Sequence, residues 1–334
     1  MEVSARAACL RQSLTRGVYC QMKICFISLT RSSGYLHCST RCTSIMSGFR
    51  DKVFYDRSRD HGFWSPSTAA ANFCEQDYAI SFYVGEFINT LSNLAYIYYA
   101  MNPPSITSQS RQAASQRPTK KLITWDVHTI ALMSIGITSA MFHASLRSFP
   151  QFLDESSMYF LVAGFAFDLL TTKYKTRKDK QTISQHHRTI TASGILLTIL
   201  TTSIVTLRTG NLIIHSIAFG IGLIICGVRM GQLIRKHGKA SRSKLYWHLF
   251  TADMALNAGF ALWLIDCSPA YCVLLRQFRK QLIVALPHSL GTTLGFVTEF
   301  HGWWHILTAR AAGEFTSLIR YLTKEAPEEA LKEI

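Results

Sequence analysis

Apolar residues along this chain gather into seven long runs separated by polar connections: Ser81–Met101, Ile123–Ala144, Met158–Thr172, Thr189–Leu207, Leu212–Leu233, Tyr246–Ile265 and Ser289–Thr308. Most approach the roughly 17 to 25 residues that cross a bilayer core. The third is short, and the last carries several polar groups. Seven such runs are hard to bury inside a soluble helical protein, so the pattern predicts an all-α membrane protein, a seven-transmembrane-helix bundle. The connection Asn102–Leu122, rich in Ser, Gln and Pro, predicts a flexible loop.

Composition and charge sharpen this picture. The 334 residues are 48% hydrophobic and 16% charged, and soluble domains average about 25% charged. A disordered chain would be more polar, and nine cysteines are too dilute for a disulfide scaffold. The net charge of +15 would suit a nucleic-acid binder if it formed one patch, but it is spread by topology. The first connection holds Arg111, Arg117, Lys120 and Lys121. The third holds Lys173, Lys175, Arg177, Lys178, Lys180 and Arg188, and the fifth Arg235, Lys236, Lys239, Arg242 and Lys244. The even connections carry only Arg147, Arg208, Arg276, Arg279 and Lys280. By the positive-inside rule the odd connections are cytosolic. The first helix then starts on the lumenal side and the C-terminus is cytosolic. The mean hydropathy of only +0.14 averages membrane spans with polar loops and a basic N-terminal extension.

That extension, residues 1–50, has seven basic residues against Glu2 alone. It reads as a disordered extension, a targeting segment, or a start placed too early, with Met46 as the alternative start. It also holds Cys9, Cys20, Cys25, Cys38 and Cys42. The remaining units are a lumenal segment at 51–80, the membrane domain at 81–310 and a cytosolic tail at 311–334.

Ionisable residues in or beside membrane spans are costly, which makes them functional candidates. In the last span His301 and His305 lie one helical turn apart and share a face, as a pair binding one Zn²⁺ would. A structural or interfacial pair fits that spacing equally well. Ser139 and His143 are also one turn apart, near the end of the second span, and a third histidine would complete a catalytic zinc set with an open fourth position. Asp154 and Glu155 stand at the start of the third span, either as helix caps or with a carboxylate orienting and deprotonating water. These residues meet only if span two runs past Ala144 and span seven starts later than Ser289. Otherwise a depth mismatch of about 15 Å separates them. A fourth group, Asn72, Glu75, Asp77 and Glu86, offers hard oxygens that suit either a helix-capping loop or Ca²⁺. Cys74 could pair with Cys267 or Cys272 on the same side. His186 and His187 sit in a basic loop, His128 shares its span with Asp126, and His215 and His248 lack partners nearby in sequence.

At these residues the chain resembles the alkaline ceramidases, integral-membrane zinc amidases of sphingolipid metabolism. The segments FWSPSTAAANFCEQDYAISFYVGEFINTLSNL, SAMFHASL, QFLDESSM, LWLID and EFHGWWHILTA carry the resemblance in that order, from about Gly62 to Arg310. It implies zinc on His143, His301 and His305, with Ser139 and Asp154 flanking the reacting water. It implies calcium on Asn72, the Phe73 carbonyl, Glu75, Asp77 and Glu86, and most nearly matches a family disulfide to Cys74 and Cys272. Asn72 and Phe73 replace the family's usual Asp and Trp, and Asp77 often an Asn, so the carboxylate count is kept. Ser156-Ser157 replaces a Leu-Pro pair, which would shift the start of the third helix.

The implied reaction is hydrolysis of ceramide to a long-chain base and a fatty acid in the endoplasmic reticulum or Golgi membrane, with a lipid substrate and no nucleic-acid partner. Zn²⁺ and Ca²⁺ are the implied cofactors. The alternative is a seven-helix receptor-like protein with a structural zinc site. Ser139 and Asp154 beside the ligands favour an enzyme. A di-iron lipid hydroxylase would carry several histidine boxes, and this chain has one HxxxH.

Overall fold

The structure is a computed structural model. It describes residues 23–32, 35–44, 62–106, 125–172, 184–209, 212–285 and 295–325. The basic residues of the first connection, most of those of the third, Met46 and Ser289 lie outside the described residues. Within the basic extension, strands β1 (Lys23–Ser32) and β2 (Tyr35–Ser44) pair antiparallel, in register from Lys23 with Ser44 to Ser32 with Tyr35.

From residue 62 onward the regular elements described are helical. They are α1 (Phe87–Ser92), α2 (Leu94–Met101), α3 (Val127–Ser145), α4 (Ser148–Leu170) and α5 (Gln185–Thr209), then α6 (Leu212–Ile234), α7 (Lys239–Asp266), α8 (Pro269–Ala285) and α9 (Phe300–Arg320), which ends in a π-helical turn at Tyr321–Glu325. Val127–Ser145, Gln185–Thr209, Ile213–Ile234 and Ser241–Asp266 are long and apolar enough to cross a membrane. Helix α5 turns Leu196, Leu197, Leu200, Ile204 and Leu207 outward. So large an apolar surface needs lipid around it, and the protein is an integral membrane protein.

Several expected boundaries move. The third helix starts at Ser148, not Met158, so Asp154 and Glu155 lie in its second turn and are not caps. Their charges, with Asp168, lower its hydropathy, and Ser156-Ser157 falls inside the helix. The seventh starts at Phe300, not Ser289, and runs to Arg320, ten residues beyond the expected end of the domain. The sixth connection contains a full helix, α8, whose Arg276, Arg279 and Lys280 hid it from a hydropathy reading. Helix α3 ends at Ser145, one residue past Ala144. Together these shifts bring the ends of α3, α4 and α9 to one end of the bundle and remove the depth mismatch.

Helix α9 packs against α7, α1, α2, α3 and α4. Small buried residues Ala309, Ala311, Ala312 and Gly313 permit the close approach. A Cβ on Gly313 would press on Tyr99 at 3.1 Å. At the end away from the site, Asp126 caps α3 by accepting the Thr129 N–H at 3.0 Å. Arg320 of α9 grips the same carboxylate with two bonds of 2.9 and 2.7 Å and donates to the Thr129 hydroxyl at 2.6 Å. Burial alone would raise the Asp126 pKa, but the Arg320 hydrogen bonds hold it well below the usual range.

Asp126→Asn or Arg320→Met should each lower stability by roughly 1.5–3 kcal/mol, the worth of hydrogen bonds to charged groups. The double variant should lose less than the sum, read as thermal midpoints in detergent. Strict additivity would mean that the two side chains do not act as a pair.

Candidate metal centre and active site

The site is assembled where the loop before α1 meets the ends of α3 and α9. Leu146 takes a left-handed conformation, φ 52°, at the end of α3. Its carbonyl accepts the backbone N–H groups of Thr68 and Ala69 at 3.1 Å each. Gly85 and Glu86 donate backbone N–H groups to the carbonyls of Ala144 and His143, at 2.8 and 2.9 Å. Gly85 is required there, because a Cβ would come within 3.0 Å of the His143 carbonyl and 2.8 Å of Leu146. Cys74 and Cys272 form a disulfide, with Cα atoms 5.3 Å apart, that staples the loop to α8. Asp266, at the end of α7, accepts the Cys74 N–H at 2.9 Å and also holds the His301 backbone.

His143, His301 and His305 converge, with one candidate ligand atom from each lying within 4.8 Å of the others. All three are buried, 1%, 3% and 3% exposed. The second ring nitrogen of two of them is already committed. His143 Nδ1 meets the Glu86 carboxylate at 2.6 Å. A carboxylate accepts here, so Nδ1 carries the proton and Nε2 keeps its lone pair. His305 Nδ1 lies 2.8 Å from the Ser92 hydroxyl, whose hydrogen goes to the Asn89 carbonyl at 2.9 Å. Ser92 therefore accepts from His305, which again leaves Nε2 free. His301 Nδ1 is buried with no hydrogen-bond partner among the described residues. Three buried imidazoles with candidate ligand atoms this close, and one nitrogen orphaned, fit a metal ion.

Phe73 stacks on His301 with ring centroids 3.5 Å apart. Ser139 is buried in the same wall, and its hydroxyl bonds to the Asp154 carboxylate. These side chains line a cavity of about 510 Å³ that runs on between α6 and α7 past Phe219, Leu223, Leu256 and Phe260. A metal centre with a carboxylate and a hydroxyl beside it, opening on an apolar cavity, suits hydrolysis of a lipid-like substrate.

The oxygen-rich group is held in two pairs, Asn72 with Asp77 and Glu75 beside Glu86. Glu75 caps α1, accepting the Ile88 and Asn89 N–H groups at 2.6 and 2.8 Å. Glu86 accepts from the Phe73 N–H at 3.2 Å and the Asn89 side chain at 3.0 Å, besides His143. Asn72 donates to Asp77 at 3.4 Å. Burial, then the neighbouring Glu86, pushes the Glu75 carboxyl up to about 8. These side chains offer hard oxygen donors, the type a hard metal ion takes. The Phe73 carbonyl also accepts from Arg276 at 3.3 Å, and Arg279 reaches the Cys74 carbonyl and pairs with Glu299 at 2.7 Å. Neither arginine stood out in the sequence. Two histidines left without partners by sequence distance acquire neighbours: His248 meets Glu314 at 3.0 Å, and His215 lines the cavity.

Comparison with known proteins agrees with this geometry. The ceramidase family profile matches residues 65–333. Alkaline ceramidase 3 of Mus musculus is 31% identical over 247 residues, covering 74% of this chain and 81% of that protein. An alkaline ceramidase of Saccharomyces cerevisiae is 27% identical over 263 residues, covering 76% of each.

Glu86→Gln preserves shape but weakens the acceptor that orients His143. Metal affinity should fall roughly 10- to 100-fold, measured by competition with a chelator. Unchanged affinity would show that the Glu86 contact does not prepare the ligand.

Proposed function

The chain belongs to the ceramidase family and is a ceramide amidohydrolase; we propose that it is a zinc-dependent one, releasing a long-chain sphingoid base and a free fatty acid. Family membership sets aside the receptor-like reading. The observation that carries the proposal is the meeting of His143, His301 and His305 with Ser139 and Asp154 in the wall of one apolar cavity. Zinc, held by the three imidazoles, would supply Lewis acidity, lowering the pKa of a coordinated water towards about 7 and polarising the amide carbonyl.

The residues of the chain do the rest. Asp154 takes a proton from the attacking water. Before that transfer its charge draws the Ser139 hydroxyl. Afterwards the hydroxyl is released to donate to the oxyanion developing on the amide oxygen. The C–O bond forms, the C–N bond breaks, and the proton on Asp154 passes to the leaving nitrogen. The cavity between α6 and α7 takes the lipid chains, so the substrate reacts without leaving the bilayer.

Calcium would be held by Asn72, the Phe73 carbonyl, Glu75, Asp77 and Glu86, where it would offset the buried carboxylates. Seven spans follow if α1 and α2 together, α4 and α9 join the four strongly apolar helices. The oxygen-rich loop is then lumenal, the odd connections and the C-terminus are cytosolic, and the membrane is that of the endoplasmic reticulum or Golgi.

Purified protein in mixed micelles should release fatty acid from ceramide in a zinc-dependent way. Asp154→Asn should lower kcat by about 10²- to 10⁴-fold with bound zinc retained, as read by elemental analysis. Wild-type protein loaded with zinc that releases no fatty acid from any ceramide would falsify the reading. Full activity in Asp154→Asn would remove Asp154 from the proton path.

A further inference from the structure

His215 lies in the first turn of α6 and lines the same cavity as the three converging histidines and Asp154. It is 7% exposed, and its Nδ1 is buried with no hydrogen-bond partner among the described residues. Aromatic contacts hold the ring: Tyr159 is 4.8 Å away centroid to centroid, and Phe219 lies nearly parallel at 6.2 Å. The Tyr159 hydroxyl reaches the backbone carbonyl of His215 at 3.4 Å, fixing that turn against α4. A phenylalanine would fill this slot without the penalty of burying an unsatisfied polar group. Nothing described in the protein accounts for an imidazole there. Farther along the same helix, a Cβ on the cavity-lining Gly220 would meet nothing within 4 Å, so the wall beside His215 has room for a ligand.

Nδ1 stays enclosed, and a substrate can partner the ring at its other nitrogen, Nε2. A ceramide carries hydroxyl oxygens three bonds from the scissile nitrogen. A hydroxyl drawn from water into an apolar cavity must be hydrogen-bonded again. Ser139 and Asp154 are engaged by the reaction, and Glu155 already accepts from Gln151 at 2.8 Å. We infer that His215 is the hydrogen-bond partner of a head-group hydroxyl on the sphingoid base, and so a specificity-determining residue for substrates that carry it. The inference rests on the ceramide reading above and deepens it. With Nδ1 enclosed by protein, Nε2 meets the ligand. The aromatic clamp keeps the ring in place before the substrate arrives.

The test compares kcat/KM for ceramide and for its 1-deoxy and 3-deoxy analogues, in wild type, His215→Phe and His215→Gln. In wild type at least one analogue should be about tenfold worse than ceramide or more, because a site that loses its partner hydroxyl is left unpaired. In His215→Phe ceramide should fall to the level of that analogue, mainly through KM, with zinc content and kcat near wild type. His215→Gln, which keeps a donor, should recover part of the preference. The inference is overturned if wild type hydrolyses all three lipids equally, or if either variant keeps the full wild-type preference. Should His215→Phe fail to fold, the wild-type comparison and His215→Gln still decide. A wild type that cleaves none of the three lipids removes the ceramide reading itself, a different outcome from equal cleavage of all three.

Discussion

The buried contact between Glu86 and His143 is the joint on which the rest of the site depends. Glu86 is fully enclosed, and its carboxylate joins three parts of the molecule at once: His143 on α3, the Phe73 backbone in the preceding loop and the Asn89 side chain on α1. A carboxylate is tolerated there only because each oxygen is hydrogen-bonded. In return it sets the tautomer of His143 and turns that ring's second nitrogen toward His301 and His305. The loop is therefore part of the candidate metal centre. Phe73, whose N–H bonds to Glu86, lays its ring on His301, and Cys74 next to it is tied to α8 and Asp266. Displacement of this loop would disturb two of the three converging histidines together.

Much of this was legible in the sequence, though unevenly. The histidine set, Ser139 and Asp154 stood out because ionisable groups are conspicuous in apolar surroundings, and the order of motifs tied them together. Span boundaries were hardest to read where the chemistry is densest. Asp154, Glu155 and Asp168 lower the apparent hydropathy of α4, and Arg310, Glu314 and Arg320 that of α9. Hydropathy measures the affinity of a segment for lipid, but these helices face the bundle interior and answer to one another. The error was thus physical in origin, and it moved the expected starts by ten and eleven residues.

Contacts between residues distant in sequence could not be read at all. His215 had no neighbour of interest along the chain, yet its ring lies against Tyr159 and lines the cavity. Arg276 and Arg279 read as loop charges. In the fold they support the backbone of Phe73 and Cys74 across about two hundred residues of sequence. The Phe73 side chain, at first notable only as a departure from the family's Trp, proves to pack on the ring of His301.

The two ends of the bundle perform different work with the same kind of interaction. At one end Asp126 and Arg320 clamp α3 to α9 with opposite charges, and the result is a closed joint with its hydrogen-bonding capacity used by protein. At the other end the same two helices bring together neutral imidazoles and carboxylates, with no basic side chain among the ligands. Burial disfavours the charge on every carboxylate it encloses, so added positive charge would be favoured there. Fixing α3 and α9 at their far ends holds His143, His301 and His305 at a separation a single ion can span. The joint thus permits an under-satisfied site, and that shortage of internal partners would leave room for the metal and polar head group proposed above.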